Sequence, residues 1–250
     1  MSSLLDALGF GNAVIACAAA ALAAAASRAM QIPIDARVLA LAAGGTAVVY
    51  GLDRLRDVAR DGARSPLRTA WVERHRRGLT VTTALGAAAA AIGGALCGAR
   101  VVAVAAAVAV LGLAHRRIKH LAFGKVAYLI LAWTAVAVAL PVANDPAARN
   151  VVWVAWVVGF SIWANVILSN LKDLEGAAAL VGPRMARRAA FFWSAVGAGL
   201  ALAGPEAVAR LAPIPLATFA AVLGFRRSER YAVWAVDGSL CAGALLALLV

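Results

Sequence analysis

Long apolar runs separated by short basic loops constrain this chain more than any other feature. Nine stretches, roughly 10–29, 35–53, 78–97, 100–114, 122–143, 151–171, 187–204, 207–224 and 231–250, are almost free of charge. Most approach the ~20 residues at which a helix rising 1.5 Å per residue crosses the hydrocarbon of a bilayer. Only 14% of the residues are charged and 64% are hydrophobic. A soluble domain carries about 25% charged residues, so this chain has too little polar surface to cover a water-soluble globule. No run alternates with period two between turn residues, which argues against sheet. The expectation is an all-α membrane protein, a bundle of about nine transmembrane helices, folded as a single domain over residues 1–250. The first, third and fourth stretches are rich in alanine, and the eighth contains Pro213 and Pro215, which predict a kink or a break.

The loops then orient the bundle. Nineteen of the 24 Lys and Arg residues fall in four alternate loops, those after the second, fourth, sixth and eighth stretches. The positive-inside rule places these loops in the cytoplasm. The N terminus is then inside, and the chain is expected in a bacterial inner membrane. The net charge of +12 is accounted for by these loops and does not point to nucleic acid. Cys17, Cys97 and Cys241 lie in apolar segments without metal-ligand spacing and read as small buried hydrophobes. The segment around Cys17 has no basic residue before it, unlike a signal peptide, and reads as a retained first span.

One basic loop carries acids among its arginines. In YGLDRLRDVARDGARSPLR, residues 50–68, Asp53, Asp57 and Asp61 recur every four residues. On a helix they share one face, with Arg56, Arg60 and Arg64 on the neighbouring ridge. Carboxylates at a membrane boundary are costly unless paired or bound to a cation. One reading is an amphipathic helix held by Asp–Arg pairs. The other is a clamp for a metal-bound diphosphate, because Mg²⁺ bridges one or two carboxylates to substrate phosphates and arginines grip the remaining oxygens. His75, among basic residues, reads as a surface group.

A second acidic helix end closes the sixth stretch. Residues 160–184 read FSIWANVILSNLKDLEGAAALVGPR. Ser161, Asn165 and Ser169 form a polar stripe, and Asn170, Asp173 and Glu175 follow it. Serines of this kind also glue membrane helices together. Asp173 stands at the same depth and side as Asp53, four helices later, which suggests an internal duplication. Asp237, seven residues beyond Arg230, lies ~10 Å below the charged surface. An acid at that depth is a candidate functional group, and a structural partner role is the alternative.

Two aspartate-bearing helix ends on one side of a nine-span protein resemble the UbiA-type intramembrane prenyltransferase family. Its first motif has the form N-D-x-x-D-x-x-x-D, of which Asp53 and Asp57 match the last two acids. SNLKDLEG, residues 169–176, resembles its S-D-L-x-D-x-E-G. RRIKHLAFGKVAYLILAWTAVAVALP, residues 116–141, is similar to its fourth loop and fifth span, and VDG at 236–238 fits its last helix. The chain departs from the pattern at Val49 and Tyr50, where the first motif opens with Asn and Asp, and at Asn170 and Ala177, where the second has Asp.

The resemblance implies transfer of a prenyl group from an isoprenyl diphosphate to a lipid-soluble acceptor, assisted by Mg²⁺, on the cytoplasmic side of the membrane. It makes Asp53, Asp57 and Asp173 the catalytic acids, and these with Asn170 the metal ligands. It makes Arg56, Arg64, Lys119 and Lys125 the diphosphate ligands. Asp61, Asn165, Glu175 and Asp237 are further candidates, and Tyr128, Trp133 and Trp163 are candidates to face an allylic cation. Fewer acids than the family pattern imply weaker or fewer Mg²⁺ sites. A member that binds an isoprenoid without turnover, and an enzyme moving another group to a polyprenyl phosphate, are the alternatives.

Overall fold

The computed structural model describes residues 2–61, 65–118, 124–173 and 177–250. The described residues are helical with short connections. They begin with α1 (Ser2–Phe10) and α2 (Ala13–Ala29), which meet at a bend of 57°. Asn12 forms the bend in the left-handed region, with φ 72°, a conformation that Asn tolerates better than most residues. Then come α3 (Ala36–Asp61), the short α4 (Pro66–Arg74), α5 (Arg76–Ala95), α6 (Ala99–Ile118) and α7 (Gly124–Thr134). A π turn at Ala135–Ala139 leads into α8 (Leu140–Asn144). Pro141 has no N–H to give to Ala137, and the helix widens just before it.

The second half holds α9 (Val151–Asp173), α10 (Ala177–Val181), α11 (Pro183–Ala203), α12 (Glu206–Ala209) and α13 (Pro213–Leu223). It ends with α14 (Glu229–Tyr231), a second π turn at Ala232–Asp237, and α15 (Gly238–Ala247). The predicted break in the eighth stretch falls between α12 and α13. Pro213 opens α13 at its first turn, where the missing N–H costs no helix bond.

Among the described residues, five helical segments are long and apolar enough to cross a membrane: Ala36–Val58, Arg76–Ala95, Gly124–Asn144, Val151–Asp173 and Glu206–Leu223. The bent pair α1–α2 makes a sixth if it is one span. The other three predicted stretches are helical too: α6 is apolar over Ala99–Gly112, α11 opens with Arg184, Arg187 and Arg188, and the last carries Asp237. Large apolar side chains such as Trp156, Phe192, Leu202 and Leu249 face outward. Such a surface suits lipid, because helices satisfy their own backbone groups there. The chain is an integral, multi-pass membrane protein.

The long helices form a closed ring. Each packs on the next in chain order, α2 on α3, α3 on α5, and so on through α6, α7, α9, α11, α13 and α15, and α15 returns to α2. Alanine makes α2 the core of this ring, with Ala18, Ala19 and Ala23–Ala26 all buried. Small side chains let neighbouring backbones approach, which is how membrane helices gain packing energy. The α3–α5 seam is the most extensive contact. At its middle a Cβ on Gly44 would stand 2.5 Å from the Gly86 carbonyl oxygen and 2.8 Å from the Ala90 nitrogen.

Candidate active site

Among the described residues, a polar cavity and an apolar cavity lie between the helices and share a wall. The first, of about 140 Å³, is lined by charged and polar residues of α3, α4, α7, α9 and the segment from Glu229 to Leu240. The second, of about 640 Å³, is apolar and lies between α3, α5, α6 and α7. Tyr50, Leu129 and Trp133 line both. The Trp133 indole N–H donates to the Tyr50 hydroxyl at 3.3 Å, and the two rings meet edge to face.

Helix rise sorts the polar cavity into two layers. On α9, Asp173 and Asn165 are eight residues apart, ~12 Å along the axis. On α7, Lys125 and Trp133 have the same separation, and so have Glu229 and Asp237. An outer rim therefore carries Arg68, Lys125, Lys172, Asp173 and Glu229. An inner layer carries Asp237, Asn165, Tyr50 and Trp133 with the apolar Ile162 and Leu240. Asp53 lies between them, three residues along α3 from Tyr50. The apolar chamber lies alongside this cavity, across Tyr50, Leu129 and Trp133, and extends inward beyond it. It runs from Tyr128 on α7 through the π turn to Leu140 at the start of α8, ~18 Å, and along α3 from Tyr50 back to Leu41.

The rim is built from long-range pairings. Lys172 Nζ stands 2.6 Å from Asp173 Oδ1 and donates to Ser65 Oγ at 3.0 Å. The Glu229 carboxylate accepts the Leu67 and Arg68 N–H groups at 2.9 and 2.8 Å. First-turn N–H groups have no carbonyl within their own helix to bond, so Glu229 caps α4 from a distant part of the chain. Arg54, 8% exposed, donates to the Gly9 and Phe10 carbonyls at the end of α1.

The inner layer has a different construction. Asn165 Nδ2 donates to the Val236 carbonyl at 2.6 Å, and Ser239 Oγ donates to the same oxygen at 2.7 Å. Val236 belongs to the π turn that ends at Asp237. Asn170 is 2% exposed, and neither its Oδ1 nor its Nδ2 has a hydrogen-bond partner. A buried amide without partners costs about 1–3 kcal/mol, and this one lines the cavity.

Of the residues singled out in the sequence, Asp53, Lys125, Trp133, Asn165, Ser169, Asn170, Asp173 and Asp237 meet in the one cavity. Asp57 is buried at 6% exposure but does not line it, and Arg56 is exposed away from it. Asp57 lies a further turn along α3 from Asp53, past the cavity. Arg64, Lys119 and Glu175 lie outside the described residues, and Asp61 is described only as the last residue of α3. Trp163 stacks on Trp193 at 4.2 Å between ring centres and lines neither cavity, while Tyr128 lines the chamber. Tyr50, the departure from the acidic motif, stands in the shared wall.

Arg54, Ser65, Arg68, Lys172 and Glu229 line the cavity without having been singled out. Ser65-Pro66 was a readable helix start, whereas the pairing of Glu229 with α4 has no local signal. Among the described residues no three acidic, His or Cys side chains are grouped to hold a metal ion alone. Mg²⁺ held jointly with phosphate needs only one or two protein carboxylates. Asp53, Asp173 and the unpartnered Asn170 amide fit that donor set.

No protein-family model matches the chain, and no curated protein does. Among solved structures it is similar to one described as digeranylgeranylglyceryl phosphate synthase in membranes. That likeness has a TM-score of 0.54 and 15% identity, and it covers the whole of both chains. It is a likeness of fold, and it gives the helical ring a solved counterpart among membrane proteins.

Proposed function

We propose that the chain is an intramembrane prenyltransferase that moves a prenyl group from an isoprenyl diphosphate to a lipid-soluble acceptor, assisted by Mg²⁺. One observation carries this reading: a small polar cavity with a cationic rim lies directly against a long apolar chamber, with Tyr50, Leu129 and Trp133 as the wall between them. A diphosphate with an isoprenoid tail has that polarity along its length. The similar fold of a structure described as a synthase of a digeranylgeranylglyceryl phosphate agrees with it.

In this reading Arg68, Lys125 and Lys172 receive the diphosphate at the rim. Asp53, Asp173 and Asn170 would hold Mg²⁺, which when bound offsets negative charge on the departing diphosphate. The tail lies in the chamber, among the small side chains of α5 and α6. Trp133 and Tyr50 then flank the reacting carbon at the neck, and the dry surroundings keep water from an allylic cation. Fixed charges act strongly in such a site because they need no reorganisation during the reaction. The rim faces the cytoplasm in this assignment, as the basic loops require.

Purified protein supplied with labelled isoprenyl diphosphates, an acceptor panel and Mg²⁺ should give a lipid-soluble product that EDTA abolishes. Asp53→Asn and Asp173→Asn should each remove most of that activity while the protein still inserts. Full activity in both would sink the site assignment. Binding of an isoprenoid without turnover is the second reading, favoured by the small number of grouped acids among the described residues. Tight donor binding with no product from any acceptor would select it.

A further inference from the structure

A prenyl transfer to an O–H, N–H or aromatic C–H nucleophile releases one proton. The C1–O bond of the donor breaks with its electron pair going to the diphosphate, the nucleophile bonds to C1, and its proton needs an acceptor. Among the described residues four acids line the cavity: Asp53, Asp173, Glu229 and Asp237. Glu229 is committed to the α4 N–H groups, and Asp173 is paired with Lys172. Asp53 lies on the rim side of Tyr50. Asp237 alone among the four is in the inner layer, where Ile162, Val166, Val233 and Leu240 also line the cavity. Among the described residues Tyr50, Leu129 and Trp133 line both cavities, so a donor with its diphosphate at the rim and its tail in the chamber would pass this wall and present C1 beside the inner layer.

The backbone that carries Asp237 is unusual. A π turn adds one residue to a helical turn and so rotates the residues beyond it by about 100° relative to a continuous α-helix. The direction of Asp237 therefore depends on the π turn at Ala232–Asp237. Asn165, itself buried, holds that turn through the Val236 carbonyl, and Ser239 donates to the same oxygen.

We infer that Asp237 accepts the proton of the nucleophile that captures the prenyl group, and that Asn165 is the positioning residue that aims it by fixing the π turn. This rests on the prenyl-transfer reading. The step balances with no further reactant: the carboxylate gains the proton that the acceptor loses and later passes it to water.

The test uses the full chain in detergent or nanodiscs, an isoprenyl diphosphate labelled with ¹⁸O at the bridging oxygen, and a panel of phenol and alcohol acceptors. If the unaltered protein neither consumes the donor nor forms product, the prenyl-transfer reading falls and the inference with it. If it forms product, Asp237→Asn should lower kcat about 100-fold or more. The KM for the donor should stay within about threefold, because the rim is intact. Movement of ¹⁸O from bridging to non-bridging positions should persist, since C1–O cleavage does not need this proton transfer. Unchanged kcat, or loss of ¹⁸O movement together with product, would overturn the inference while leaving prenyl transfer standing.

Asn165→Leu should lower kcat about tenfold at unchanged donor KM, and Asn165→Gln, which keeps an amide donor, should recover part of it. A rise in donor KM with kcat unchanged would overturn the positioning role. If Asn165→Leu does not fold, Ser239→Ala removes the other donor to the same carbonyl. It should give the same split to a smaller degree, and no change in kcat would count against the role.

Discussion

Trp133 donates its indole N–H to the hydroxyl of Tyr50 across 3.3 Å, and this pair is part of the wall between the polar cavity and the apolar chamber. Position 50 is where the resemblance calls for an acid. A neutral phenol there gives the neck a hydrogen bond without a charge. Tyr50→Phe should destabilise the fold by only ~0.6 kcal/mol, the usual worth of a hydrogen bond between membrane helices. Trp133→Ala should cost about 3–5 kcal/mol, as for a large buried aromatic. Denaturant titration of both variants in the same detergent would check the contrast.

Lys172 ties the end of α9 to the start of α4, through Asp173 on its own helix and Ser65 just before α4. Lys172→Met should raise the donor KM about tenfold, the equivalent of 1.4 kcal/mol, because a charge-assisted contact is lost. Ser65→Ala should have a smaller effect in the same direction. Steady-state kinetics with varied donor would read both.

Arg54 anchors α1 by donating to the Gly9 and Phe10 carbonyls. Arg54→Ala leaves those carbonyls without this donor, at about 1–3 kcal/mol. The exposed Asp6–Arg230 pair then remains between α1 and α14, and exposed pairs contribute ~1 kcal/mol or less. Limited proteolysis should therefore cut the variant near residues 10–12 much faster than the unaltered chain, with the rest of the ring resistant.

Asp35, just ahead of α3, accepts from the Arg37 guanidinium at 3.0 and 3.1 Å and from the Asn144 amide at 3.1 Å. The Arg37 hydrogen bonds hold its carboxyl far below the usual carboxylate range against a smaller opposing effect of burial. A carboxylate whose folded pKa is lowered adds stability that is complete above its unfolded value, near 3.9, and is lost as pH falls toward the folded value. The Tm difference between the unaltered chain and Asp35→Asn should be constant from about pH 5 to 8 and shrink below about pH 4. A difference that grows with acid would contradict the pairing.

Much of the fold was legible in the sequence because a bilayer leaves few choices. A run such as Val151–Asp173 must be helical, since no water is present to satisfy a free backbone. Helix periodicity also placed Asp53, Asn165, Asn170, Asp173 and Asp237 on helix ends or within spans, and all five line the one cavity. The same arithmetic put Asp53 and Asp57 on one face, and it was silent on where the cavity stops. Two residues one turn apart on a tightly packed helix end up with different neighbours. Asp53 meets the cavity and Asp57 does not, because the void between helices is shorter than the helix.

The aromatic residues show the same limit. Trp133 and Trp163 both sit in apolar spans, but Trp133 faces the interior and Trp163 stacks on Trp193 of α11. Residue type cannot separate them when both faces of a span are apolar. Nor could the sequence find Glu229 as the cap of α4 or Arg54 as the anchor of α1, since each bond joins segments far apart in the chain.

By itself, then, the sequence determined that basic loops alternate with apolar helices and that two acidic helix ends belong to one side. Those properties follow from residue type and helical period. Only the tertiary structure decided that the ring closes from α15 to α2, and that a polar cavity and an apolar chamber share Tyr50, Leu129 and Trp133. Voids and long-range hydrogen bonds depend on how whole helices tilt and fill space against one another, and no local pattern encodes that.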